Sequence, residues 1–230
     1  MIFCTSLSPS HKNKDVQQTA VDSWSKFGKV YSFNSAEEII KLKYKGVKFI
    51  ETERTMQHTF KKPYVSVSAI IDWAKKKNDD ICIINSDIEL ICSDSLMEKI
   101  KKALKTSLVL ANRNDYDTDK KKSETYLRGL DVFFLSKKHL DIYPQSTLCL
   151  GQCHFDYWIP YKAIFAKVPV IILQNKIALH KKHSVQYSYA NWLQTAKTFA
   201  AENKFSHTDM PRMTELLFKF IYLFMQSKKL

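Results

Sequence analysis

The chain has 230 residues, four glycines, six prolines and a formal net charge of +13 carried almost wholly by lysine. That length supports one substantial core, and so little glycine and proline excludes a fibrous, disordered or long-linkered chain. Five cysteines, odd in number and mostly set in apolar runs, argue against a disulfide framework; Cys149 and Cys153 with His154 lack the further ligands that a zinc site needs. The opening MIFCTSLSPSHK has neither the basic start nor the long apolar stretch of a signal peptide, so the expectation is a cytoplasmic protein. Lysine clusters at Lys75–Lys77, Lys120–Lys122 and Lys181–Lys182 either attract a polyanion or simply solvate helix faces.

In chain order, Ile2–Leu7 reads as a short apolar strand ending in a Ser-Pro-Ser turn, and Val16, Ala20, Trp24 and Phe27 predict a helix closed by Gly28 in a left-handed position. Val30–Phe33 predicts a second strand, Ser35 with Glu38 a capping box for a short helix, and Val47–Ile50 a third strand. Pro63 stands where the first turn of a helix through Tyr64, Val67, Ile71 and Ala74 would be, with Lys75–Lys77 at its negative end. Ile81–Ile84 is a continuous apolar run, the pattern of a central strand covered on both faces, and it ends abruptly on Asn85, Ser86 and Asp87. Ser95 with Glu98 opens another helix, followed by a strand at Leu108–Ala111. Strand and helix alternate, which predicts an α/β domain with a mostly parallel mixed sheet flanked by helices and a ligand cleft at the carboxyl ends of the strands.

The second half is less regular. A charged loop over residues 114–124 precedes a strand at Val132–Leu135 and a short helix near Lys138–Asp141. CHFDYWIPY, residues 153–161, is dense in aromatics around Asp156, a setting that would raise a carboxyl pKa and suit a general base, though a helix cap amid core aromatics accounts for it equally. Val168–Leu173 and Ile177–Leu179 predict strands, with His180 and His183 directly after. Pro211–Gln226 is a helix apolar almost all round, ending near Lys228 and Lys229; it implies burial, a partner or peripheral contact with a membrane surface. The expected division is a main domain over residues 1–204 and a C-terminal helical extension over 205–230.

Asp87 at the end of a buried strand is well placed for a hard divalent cation, although Asn-Ser-Asp is also an ordinary turn. Thr5-Ser6-Leu7 ending the first strand, Lys61-Lys62-Pro63 before a helix, Asn85-Ser86-Asp87 closing the central strand and the later acidic aromatic helix together resemble the GT-A type glycosyltransferases, over roughly residues 1–185. The resemblance implies transfer of a sugar from a nucleoside-diphosphate donor to an acceptor hydroxyl, with Mn²⁺ or Mg²⁺ as cofactor. It makes Asp87 the second acid of an Asp-x-Asp metal motif, with Asn85 in place of the first. It implies further that Thr5 and Ser6 contact the nucleoside, with Ser86 beside them, that Lys62 reaches the diphosphate, and that Arg113 and Asp115 hold the donor sugar. Leu130–Leu135 resembles the acceptor-side strand, with Gly129 leaving space beside it. Asp156 would be the catalytic base and Asp131 its substitute, and His180 or His183 would complete the metal shell.

For the acceptor, the lysine excess favours a polyanion, with a hydroxylated base in DNA first, as in viral DNA glycosyltransferases acting in a host cytoplasm. A lipid-linked or surface glycan is the alternative. A non-catalytic nucleic-acid-binding module would explain the charge but neither Asp87 nor Asp156, and no zinc finger, helix-turn-helix or RNA-recognition pattern supports it.

Overall fold

The computed structural model describes residues 1–10, 14–183, 188–206, 209–228 and 230, so Lys229 lies outside the described residues. In chain order the elements are β1 (Ile2–Thr5), α1 (Lys14–Ser25), β2 (Lys29–Asn34), α2 (Ala36–Ile39), β3 (Val47–Glu51), α3 (Gln57–Phe60), α4 (Val67–Lys77), β4 (Ile81–Ile84), β5 (Ile88–Leu90) and α5 (Asp94–Ala103). They continue with β6 (Leu108–Tyr116), β7 (Glu124–Leu135), α6 (Phe155–Phe165), β8 (Val170–Lys181), α7 (Tyr189–Glu202), α8 (Met210–Phe224) and β9 (Met225–Lys228), with 3-10 turns at Lys120–Lys122 and Lys137–Ile142.

The strands form one mixed sheet in the order β3-β2-β1-β4-β7-β6-β8-β5, with β9 also on β8. Pairing is parallel from β3 through β4, antiparallel on both sides of β7, parallel between β6 and β8, and antiparallel where β5 joins the second half of β8. Side chains alternate across the sheet, and both faces are covered. Ile81 and Ile83 of β4, with Leu108 and Leu110 of β6, enter one core under α4, α6, α7 and α8; Cys82 and Ile84, with Val109 and Ala111, enter the other, under α1 and α5. This two-sided burial is why the central strands are oily without interruption.

Several local expectations are corrected. Gly28 is not left-handed: a side chain there would collide with the carbonyl oxygen of Met1, so close approach to β1 explains the glycine. The helix expected at Pro63 begins at Val67, because Val65 and Ser66 bond outward, through bridges Thr55–Val65 and Ser66–Cys149. The cap of α5 is Ser93, whose hydroxyl accepts from Leu96 N at 3.2 Å; Ser95 lies inside the helix. The two strands expected at Val168–Leu173 and Ile177–Leu179 are one, β8. The helix expected to run to Gln226 stops at Phe224, and the chain turns into β9.

α8 buries Met210, Met213, Leu217 and Ile221 against the core shared with α6 and α7. Among the described residues no helix is long and apolar enough to cross a membrane.

Candidate functional site

Strand register assembles the site. The turn Ser86-Asp87 joins β4 to β5, and β5 pairs with β8 so that Ile88 stands opposite His180. The parallel pairing of β6 with β8 puts Asp115 beside that same His180. Three stretches separated by many residues therefore converge at the Asp87 turn. His180 Nδ1 lies 2.8 Å from Asp115 Oδ1, and its Nε2 lies 3.6 Å from Asp87 Oδ2. His183 Nε2 lies 3.1 Å from the same Asp87 oxygen and 3.1 Å from His180 Nε2.

These three atoms, Asp87 Oδ2, His180 Nε2 and His183 Nε2, have the edges of one face of a coordination polyhedron with bonds near 2.1 Å, so they can hold a divalent cation. Asp115 accepts from Nδ1 of His180, the outer-shell contact that fixes which nitrogen faces a metal. Burial alone would raise the Asp87 carboxyl, but hydrogen bonds from both imidazoles overcome it and hold the pKa well below the usual carboxylate range. His180 is pulled the opposite way: burial favours its neutral form, while Asp87 and Asp115 raise its pKa above the ordinary imidazole value.

A second cluster adjoins the first. β6 and β7 slip register at Asn112, a bulge that re-aims Arg113. Its guanidinium lies 3.0 Å from Asp115 through Nε, 3.6 Å from Asp131 through Nη1, and 4.5 Å above the Tyr126 ring. Asp131 is buried, with its pKa raised by desolvation against the lowering pull of Arg113, and its Oδ1 accepts from the side-chain amide of Asn85. Asn85 is thus turned toward Asp131, and the groups that meet Asp87 Oδ2 are the imidazoles of His180 and His183. The room expected beside Gly129 is also occupied. A Cβ there would come within 2.8 Å of Tyr126 and 3.1 Å of Arg113, so the glycine admits these two side chains.

Asp156 sits in the first turn of α6, where Tyr157 N donates to its Oδ1 at 3.1 Å. Burial, with a further push from the charge of Asp131, raises its pKa to about 8. The structure therefore joins Asn85, Asp87, Arg113, Asp115, Asp131, His180 and His183 in one network and sets Asp156 within electrostatic reach of it. Ser86 is bound elsewhere, its Oγ 2.7 Å from the Gln17 amide, which also meets the Tyr44 hydroxyl at 2.5 Å. Among the described residues no hydrogen bond or ion pair ties Thr5, Ser6 or Lys62 to the network; Thr5 is fully buried and Lys62 lies in an exposed turn after α3. Sequence reasoning missed Gln17, Tyr44 and Tyr126; the aromatic Tyr126 just past the charged loop was the one available signal.

No family model matches the chain, and no curated protein matches it in sequence. Among solved structures, the fold is similar to Rv0371c of Mycobacterium tuberculosis H37Rv in complex with manganese, with TM-score 0.46, 11% identity, and 84% of this chain and 96% of that chain covered. It is similar to a protein of Desulfovibrio desulfuricans G20 assigned as a nucleotide-diphospho-sugar transferase, with TM-score 0.44, 12% identity and coverage of 98% and 97%. A third is 4-diphosphocytidyl-2C-methyl-D-erythritol synthase from Anaerococcus prevotii, with TM-score 0.43, 13% identity and coverage of 88% and 97%. None of these likenesses carries a residue's role to this chain.

Proposed function

We propose that the protein is a metal-dependent transferase that moves a sugar from a nucleoside-diphosphate donor to an acceptor hydroxyl. The observation that carries this is the convergence of Asp87, His180 and His183 with Arg113, Asp115 and Asp131 at one end of the mixed sheet. A divalent cation held by the first three would supply positive charge for the departing diphosphate. Two imidazoles and one carboxylate suit Mn²⁺ better than Mg²⁺, which prefers oxygen ligands alone. Arg113, fixed by its two carboxylates, presents a planar cation to the donor. Asn85 and Asp131 hold Arg113 in place rather than meet substrate. Asp156 accepts the acceptor's hydroxyl proton as the new glycosidic bond forms and the bond from the anomeric carbon to phosphate oxygen breaks; a pKa near 8 keeps it basic enough for the task.

The acceptor belongs on a polyanion, either a hydroxylated base in DNA or an anionic lipid-linked sugar, and the support is the net charge of +13. Incubating the protein with a panel of nucleoside-diphosphate sugars and Mn²⁺ should release nucleoside diphosphate slowly even without acceptor. Asp87→Ala should lower that release by about a hundredfold or more, an oxyanion-scale loss, and abolish Mn²⁺ binding in a calorimeter. Release indifferent to Asp87 and to chelator would sink the proposal. Pyrophosphate released from a nucleoside triphosphate and a sugar phosphate would reassign the site to nucleotidyl transfer. A purely nucleic-acid-binding module would keep its duplex affinity in Asp87→Ala and release nothing.

A further inference from the structure

The carboxyl ends of α6, α7 and α8 meet at one place on the surface. Phe165 at the end of α6 is 62% exposed, Leu223 and Phe224 at the end of α8 are 79% and 53% exposed, and Phe205 just past α7 is 38% exposed. The aromatic ones are continuous rather than scattered, joined through half-buried Phe220 and buried Tyr161, and Leu223 adjoins Phe224 in sequence. Ring centroids run from Phe224 to Phe220 at 4.8 Å, Phe220 to Phe165 at 5.8 Å, Phe165 to Tyr161 at 4.4 Å and Tyr161 to Phe205 at 5.8 Å. Single exposed apolar residues are ordinary, whereas a contiguous patch marks an interaction face.

Lysines outnumber acids along the rim of this patch. α6 and α7 end alike: Val168 N donates to Ala163 O and Phe205 N to Ala200 O, each at 2.9 Å, turns that put Lys167 and Lys204 in the left-handed position with φ of 58°. Glycine is the usual residue there, yet both positions hold an exposed lysine next to an aromatic of the patch. Lys162 adds a third cation, 5.9 Å over the Tyr161 ring. The nearby acids are engaged internally. Glu202 accepts from Ser146 and Thr147, Glu215 pairs with Arg128 at 2.7 Å, and Asp209 caps α8 by accepting from Arg212 N. An open, largely apolar groove of about 720 Å³ between α7 and α8 shares Phe205 with the patch and has one cation, Lys197, and one acid, Asp209, on its wall.

We propose that this face seats the protein on an anionic lipid surface, with Phe165, Leu223 and Phe224 entering the headgroup boundary and Lys162, Lys167 and Lys204 meeting lipid phosphates. Exposed aromatics within a rim richer in lysine than in acid are what an interfacial anchor requires, and that excess, with Glu202 and Asp209 held by neutral hydrogen-bond donors inside the fold, favours an anionic bilayer over a protein partner of mixed charge. The seat lies at the ends of α6 and α8, away from the Asp87 turn, and stands whether or not the protein transfers sugars. Should it do so, lipid-linked hydroxyls come ahead of bases in DNA as acceptors.

The full chain should co-sediment with vesicles of phosphatidylcholine mixed with phosphatidylglycerol, and far less with phosphatidylcholine alone. Leu223→Ser with Phe224→Ser should weaken binding at least tenfold, and Lys167→Glu with Lys204→Glu by about twentyfold or more, since each cation at an anionic surface contributes about fivefold. Lys121→Glu with Lys122→Glu makes the same change of net charge elsewhere and should leave most of the binding in place. All variants alter exposed side chains, and unchanged circular dichroism checks that they fold. Equal losses in the two lysine pairs would show bulk attraction only and overturn the seat. So would a wild-type chain that ignores anionic vesicles and is instead a dimer in light scattering, split by the Leu223→Ser, Phe224→Ser change.

Discussion

His154 and Asp156 stand two residues apart at the start of α6, and burial pushes both toward their neutral forms. His154, in the left-handed cap position with φ of 71°, joins three helices: Nδ1 lies 3.0 Å from the Thr195 hydroxyl on α7 and Nε2 3.1 Å from the Thr214 hydroxyl on α8. Its pKa falls to about 4. The unfolded chain therefore takes up a proton near pH 6.5 that the folded chain refuses until about pH 4, so this group's contribution is present above pH 6.5 and is lost as pH falls through about 4. The shift corresponds to about 3 kcal/mol. We expect His154→Gln to remove most of this acid sensitivity, seen as a smaller gap between urea midpoints at pH 7 and pH 4.

Asp156 has the opposite sign. Its folded pKa of about 8 exceeds the ordinary 3.8, so its contribution is present at low pH and is lost as pH rises toward 8. Asp156→Asn should gain more than about 1 kcal/mol over the wild type between pH 5 and 8, measured by denaturant titration at each pH. If the carboxylate is the base, kcat/KM for transfer should rise to a midpoint near pH 8, and Asp156→Asn should flatten the profile and cost about 10²- to 10⁴-fold. Asp156 could be singled out in the sequence because a lone acid among aromatics is chemically conspicuous, as are two histidines after a strand. The orientation of Asn85 could not, because an amide carries no sign of which carboxylate it will face.

At the scale of elements, the strands buried on both faces were legible as short uninterrupted apolar runs such as Ile81–Ile84, bounded by polar residues and rich in β-branched side chains. β5 was not: three residues after a polar turn give no periodicity, and its strand character comes wholly from pairing with β8. α7 also went unread, although Trp192, Ala196, Phe199 and Ala200 stand at helical spacing. The bulge at Asn112 has no sequence mark, yet it aims Arg113, and Gly129 makes room for the result. Gly129→Ala tests this coupling. The added methyl presses on Tyr126 and Arg113, so stability should drop by less than about 1 kcal/mol, as for other flexible neighbours, while kcat/KM falls about tenfold through KM for the donor.

At the scale of the molecule, the order of elements predicted an α/β sheet with helices on both faces, and that architecture is what forms. The mixed pairing around β7 and the return of the chain into β9 follow from which strands neighbour which, and a single sequence does not display neighbours. The charge of +13 was plain from composition, but its division between solvated helices and a rim around exposed aromatics depends on where α6, α7 and α8 end.

The pairing of β5 with β8 has one more consequence, for assembly. Asp87 and His180 are 93 positions apart, and the short antiparallel pairing of β5 with β8 brings them together directly. Closing so long a loop is slow and entropically costly. An ion bridging the two ends would act as a latch on this edge of the sheet, and its affinity would be added to the stability of the whole chain. At a hundredfold excess over its dissociation constant, a cation would contribute about 2.7 kcal/mol, or a rise of about 5 to 10 °C in Tm for a chain of this size. Mn²⁺ should raise the melting temperature of the wild type by that amount and leave Asp87→Ala unmoved.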